Sequence, residues 1–77
     1  MHLTIYKTSV ATLKQVQQLQ LLLNKIPLIK QWNFDLDDCD HILRIISQDS
    51  QPQVVCQLLH TEGFNCETME SFIYHHQ

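Results

Sequence analysis

The chain has 77 residues, of which 44% are hydrophobic, 17% are charged and one is a glycine. It is long enough for one small domain and too apolar for a disordered one. A formal charge of -3 and a pI near 5.9 argue against a surface that neutralises phosphates, and no apolar run approaches the roughly 20 residues that span a bilayer, so neither nucleic acid nor membrane is expected as a partner.

Leu3, Ile5 and Lys7 alternate with Thr4 and Tyr6, the period of a strand, here over 2–9. From Thr12 the period changes. Leu13, Val16, Leu19, Leu23 and Ile26 recur at helical spacing, with Lys14, Gln15, Gln17, Gln18 and Gln20 on the other side, which predicts a helix ending before Pro27. Trp32, Phe34 and Leu36 alternate with Asn33 and Asp35 as a second strand. Asp37, Asp38, Cys39 and Asp40 make a polar turn, and residues 41–47 form its hairpin partner. Pro52 suits the first turn of a second helix that carries Val55, Leu58 and Leu59. Gly63 falls where a helix ends in the left-handed conformation, and residues 64–69 form the last strand.

The order β-α-β-β-α-β predicts an α+β, ferredoxin-like sandwich: a four-stranded antiparallel sheet with right-handed split crossovers and two helices on one face. One domain over 1–69 and a tail over 70–77 are expected. The tail's Phe72, Ile73 and Tyr74 are apolar enough to pack on the open sheet face or on a second subunit.

The stretch from Tyr6 to Val16 with Leu19, Leu23 and Ile26 resembles the first strand, loop and helix of heavy-metal-associated (HMA) domains, the copper-chaperone-like family. Ile29 with Trp32, Asp35-Leu36-Asp37, Leu43 with Ile45, and Glu62-Gly63-Phe64 extend the resemblance over about residues 3–68. The family implies a carrier of Cu(I) or Zn(II) that hands its ion to a partner, often a metal-transport protein. It holds the ion through a Cys-x-x-Cys loop, because thiolates suit soft ions and a helix amino terminus favours thiolate. This chain has Thr12 and Gln15 in those two places. The chain therefore resembles a degenerate member of the family, with no metal or cofactor expected, Thr12 serving as a helix cap and Gln15 as a solvated first-turn residue.

Two relocated sites for Cu or Zn are the alternative. Cys56 and His60 stand four apart on helix two, a spacing that metal sites use, although Cys56 also fits a core position with His60 exposed. His2 could join His75 and His76 if the tail returns beside strand one. Cys39 and Cys66 are expected at opposite ends of the sheet. The acidic run Asp35, Asp37, Asp38 and Asp40 lacks the glycine and glutamate of a calcium loop. No nucleophile elbow, catalytic triad pattern or phosphate-cradling glycine loop is present, so no enzyme is expected.

Three cysteines at irregular spacing do not suggest a disulfide framework, and residues 1–7 lack the layout of a secretory signal. Both suggest a cytoplasmic protein. The expected function is that of a protein-interaction or regulatory module related to metal handling. Its partner would be another protein, or a second copy bound through a sheet edge or the tail.

Overall fold

The computed structural model describes residues 1–49 and 51–73. Strand β1 (His2–Thr8) leads into helix α1 (Leu13–Leu23), followed by β2 (Ile29–Asp35), β3 (Ile42–Ser47), α2 (Pro52–Thr61) and β4 (Cys66–Ile73). The strands form one sheet in the order β2-β3-β1-β4, with every pairing antiparallel. This is the ferredoxin-like arrangement that the alternation of strand and helix periods predicts.

The core lies between one sheet face and both helices. Leu19 and Leu23 of α1, Val55 and Leu59 of α2, and Tyr6, Leu43 and Ile45 of the central strands belong to a single buried cluster with Val10, Phe64 and Cys66. Cross-strand partners share a face and successive residues alternate. The pairs Tyr6 with Leu43 and Thr4 with Ile45 therefore assign Thr4, Tyr6 and Thr8 to the helix side. Leu3 and Ile5 point to the other side, although they are the more apolar residues of β1. Burial of the two threonines is tolerated because their hydroxyls are paired. Thr4 Oγ1 lies 3.3 Å from Ser71 Oγ, and Thr8 Oγ1 donates to the His41 carbonyl at 2.7 Å while accepting from the Val10 N–H at 3.1 Å.

Local chemistry sets the ends of the helices. The helix α1 unwinds through shorter turns, Lys25 N–H to Leu22 and Ile26 N–H to Leu23, before Pro27 stops it. Asn24 at its carboxyl end accepts a hydrogen bond from Trp32 Nε1 at 2.9 Å, which ties the helix end to β2. Pro52 opens α2. At its other end Gly63 has φ +91°, with the Gly63 N–H bonded to the His60 carbonyl and the Phe64 N–H to the Leu59 carbonyl at 2.9 Å. These two bonds and the burial of Phe64 with Leu59 in the core make a Schellman turn, as the lone glycine predicts.

Strand β4 begins at Cys66 and runs to Ile73, past the expected boundary at Met69. Residues 70–73 are thus sheet, and of the expected tail only 74–77 lie outside the described residues. Pairing with β1 extends the strand: Ile5 faces Glu70 and His2 faces Ile73, with a register shift between Ile5 and Tyr6 that leaves Met69 as the extra residue of a bulge.

Leu59→Ala should cost about 2–5 kcal/mol of unfolding free energy through loss of burial and the cavity left behind. Exposed Leu21→Ala should stay within about 0.5 kcal/mol. Gly63→Ala should fall between, at about 1–2 kcal/mol, because a Cβ there would meet nothing within 4 Å and only the positive φ opposes it. Urea denaturation of the three variants checks the order.

Candidate functional site

Residues 9–12 connect β1 to α1 over a buried plug, Val10, which is fully inaccessible. Beyond it Thr12 is the amino-terminal cap of α1. Its hydroxyl accepts the Gln15 N–H at 3.2 Å, and Gln15 Oε1 reaches back to accept the Ala11 N–H at 2.7 Å and the Thr12 N–H at 3.2 Å. This reciprocal capping box satisfies otherwise orphaned N–H groups of the helix start. The side chains at the two ligand positions of the resembled loop are thus spent on the backbone, and what they offer is neutral oxygen and amide, which hold soft ions poorly.

A second constellation forms where α2 crosses β4. The Cys66 S–H donates to Cys56 Sγ at 3.2 Å, and Cys56 Sγ lies 3.8 Å from Thr68 Oγ1. Cys56 is half-buried and Cys66 buried. Burial pushes the Cys66 thiol well above its ordinary range, reinforced by the hydrogen bond to Cys56 and by proximity to it. Burial likewise raises the Tyr6 hydroxyl, with Cys56 and Cys66 adding to the shift and a hydrogen bond to Thr4 opposing it. Sequence reasoning weighed Cys56 against His60 and Cys66 against Cys39, and missed this pair. The signal was present but faint: Gly63 reverses the chain between them, so a cysteine on the inner face of α2 and one at the start of the following strand are brought face to face.

The other candidates do not converge. His60 is exposed on α2 and lines a shallow depression with Lys7, Ser9, Asn65, Cys66 and Glu67. His2 lies opposite Ile73, so β4 runs beside strand one as far as Ile73, and His75 and His76 lie outside the described residues. Cys39 and Cys66 are not at opposite ends of the sheet. The turn holding Cys39 is bonded to β1 through the Thr8 N–H and the Asp40 carbonyl, and Thr8 is the partner of Cys66. In an antiparallel sheet the start of β3 and the start of β4 both flank the end of β1, which puts the two cysteines at the same end.

Among the described residues, Asp38, Cys39 and Asp40 are the three metal-ligand types whose ligand atoms lie within 4.8 Å of one another. Local bonds already use their oxygens. Asp38 Oδ1 accepts the Asp40 N–H at 2.8 Å, and Asp40 pairs with Lys7 at 3.6 Å. His41 closes this turn at φ +48°, a left-handed position that histidine tolerates better than branched residues.

The face of the sheet away from the helices carries Leu3, Ile5 and Ile46, with Phe72 opposite Leu3 on β4. Leu3, Gln31, Asn33, Arg44 and Ile46 line a shallow depression on it. Among the described residues strand β4 has one neighbour, β1, and is one of the two sheet edges, β2 being the other. Its Met69, Phe72 and Ile73 are 47, 46 and 72% exposed. No helix among the described residues is long and apolar enough to cross a membrane. No protein-family profile, curated protein or solved structure matches this chain.

Thr12→Ala should cost about 1 kcal/mol by removing the cap, read as a shift in the urea midpoint. Because the folded state holds Cys66 and Tyr6 protonated, their contribution to stability is complete below the unfolded pKa values. It should be lost as pH rises above about 8.5 for the thiol and about 10 for the hydroxyl. The urea midpoint should therefore be flat with respect to these groups near neutrality and fall on the alkaline side, and the fall should begin later in Cys66→Ala.

Proposed function

We propose that this protein is a non-enzymatic binding domain, HMA-like in layout but without the soft-metal loop, which engages another protein through its open sheet face and the β4 edge. The observation that carries this reading is the composition of β4. An edge strand of eight residues (Cys66–Ile73) contains no proline and no lysine, the usual guards of an exposed edge, and shows three large apolar side chains to solvent. Its bulge at Met69 interrupts the ladder with β1 between Thr68 and Glu70.

The charges on this surface select the partner. Lys7 and Arg44 are each within ion-pair distance of an aspartate, Lys7 of Asp40 at 3.6 Å and Arg44 of Asp35 at 3.7 Å. Glu67 and Glu70, both on the open-face side of β4 by register, have no such cation among the described residues. Pairing of β4 with a second copy of itself would set the Glu70 carboxylates opposite or diagonal to one another, which is unfavourable. The complementary partner is an extended segment of another protein, with apolar residues alternating with lysine or arginine, added to the sheet as a fifth strand. The family resemblance makes a metal-transport protein the class in which to look for such a segment, and the closed capping box at Thr12 and Gln15 supports a role in contact rather than in ion transfer.

An eight-residue synthetic peptide alternating valine and lysine, titrated into the isotope-labelled chain, should shift the amide resonances of β4 and the facing part of β1. Glu67→Lys with Glu70→Lys should weaken that binding at least tenfold, and a peptide with glutamate in place of lysine should not bind. Shifts confined to the helices, or no shifts at millimolar peptide, would sink the reading.

A further inference from the structure

We propose that Cys56 and Cys66 are a thiol-disulfide site, closed into a reversible disulfide by exchange with a low-molecular-weight disulfide. This inference is independent of the binding surface described above. The two sulfurs stand 3.2 Å apart, so about 1.2 Å of approach completes a bond of roughly 2.05 Å. That movement lies within the reach of side-chain torsions, because Cys56 and Cys66 sit on neighbouring layers, one on α2 and the other on β4.

The arrangement distinguishes the two thiols. Cys66 is buried and its S–H donates to Cys56 Sγ, so the Cys66 thiol is the less accessible of the two to a reagent. Cys56 is less buried, and its sulfur also lies 3.8 Å from the hydroxyl of exposed Thr68. Cys56 is therefore the attacking thiol and Cys66 the resolving one. Cys56 loses its proton to solvent and attacks one sulfur of the reagent disulfide. The Cys56–reagent bond forms as the reagent's own S–S bond breaks, and the departing half leaves as a thiolate that takes up a proton. Cys66 then gives up its proton as it attacks Cys56 Sγ, expelling the second half as a thiolate. Two protein thiols are oxidised and one reagent disulfide is reduced to two thiols, with no other reactant.

A shared metal ion accounts for the pair less well. A closed tetrahedral site takes four ligands, of which two thiolates supply half. Among the described residues His60 also does not join the two sulfurs in a cluster of ligand atoms. Once formed, the disulfide would close the loop from Cys56 to Cys66 around the Gly63 turn and tie the edge strand β4 to α2.

The full chain is equilibrated anaerobically in glutathione buffers of increasing oxidised fraction, acid-quenched, blocked with a maleimide and weighed intact, then mapped by peptide. Cys56 and Cys66 should be lost from the alkylated fraction together, in a species two hydrogens lighter, with Cys39 still alkylated and Cys39→Ser behaving identically. The oxidised form should melt higher by on the order of 10 °C. Cys66→Ser should accumulate a glutathione adduct on Cys56, the trapped intermediate. Full alkylation of both thiols in the most oxidising buffer overturns the proposal, as does independent loss of the two or a stable glutathione adduct on the wild-type chain. Should Cys66→Ser fail to fold by circular dichroism, the wild-type and Cys39→Ser masses still decide.

Discussion

A single left-handed residue governs the last third of this protein. Gly63 at φ +91° lets the Leu59 and His60 carbonyls at the end of α2 be satisfied by the N–H groups of Phe64 and Gly63. The same turn buries Phe64 against Leu59 and reverses the chain onto β1. Without that reversal β4 would not pair with β1, Cys66 would not face Cys56, and the sheet would end in a different edge. The turn therefore links local backbone conformation to both surfaces that carry chemistry.

The sheet itself distributes polarity in an unexpected way. On β1 the helix-facing side holds Thr4, Tyr6 and Thr8, and the solvent-facing side holds Leu3 and Ile5. Hydroxyl pairs to Ser71 and to the His41 carbonyl offset the cost of burying the threonines, so the core is closed without spending the aliphatic residues of this strand on it. Those residues remain to form an apolar centre on the open face, beside the exposed side chains of β4. A small domain that places its aliphatic residues on an uncovered sheet face keeps a surface available for contact at some expense to its own stability.

The two thiols and the capping box illustrate different uses of similar positions. At Thr12 and Gln15 the side chains turn inward to the helix backbone, leaving a closed and chemically quiet loop. At Cys56 and Cys66 they turn toward one another across two layers, with the Cys66 S–H aimed at Cys56 Sγ. Tyr6 lies close enough for both sulfurs to raise its hydroxyl, so core packing and sulfur ionisation are coupled: a charge created on either thiol is felt in the centre of the domain.

Much of the fold was legible in the chain alone. The period-2 and period-3.6 patterns give the order of elements, Pro27 and Pro52 bound the helices, and Gly63 marks the reversal, because each acts through bonds and torsions of its immediate neighbours. Thr12 likewise announces a helix cap, whereas Gln15, expected as a solvated first-turn residue, turns back to accept the Ala11 and Thr12 N–H groups. The length of β4 was not legible, since Glu70, Ser71, Phe72 and Ile73 have no strong strand pattern of their own and become a strand by pairing with β1. Nor was the choice of face on β1, where the apolar residues suggest the wrong side until the register with β3 is known. The meeting of Cys56 with Cys66, and of the Cys39 turn with the same end of the sheet, belongs to tertiary structure alone: periodicity tells which residues share an element, while which elements lie side by side is decided by how the helices and strands pack.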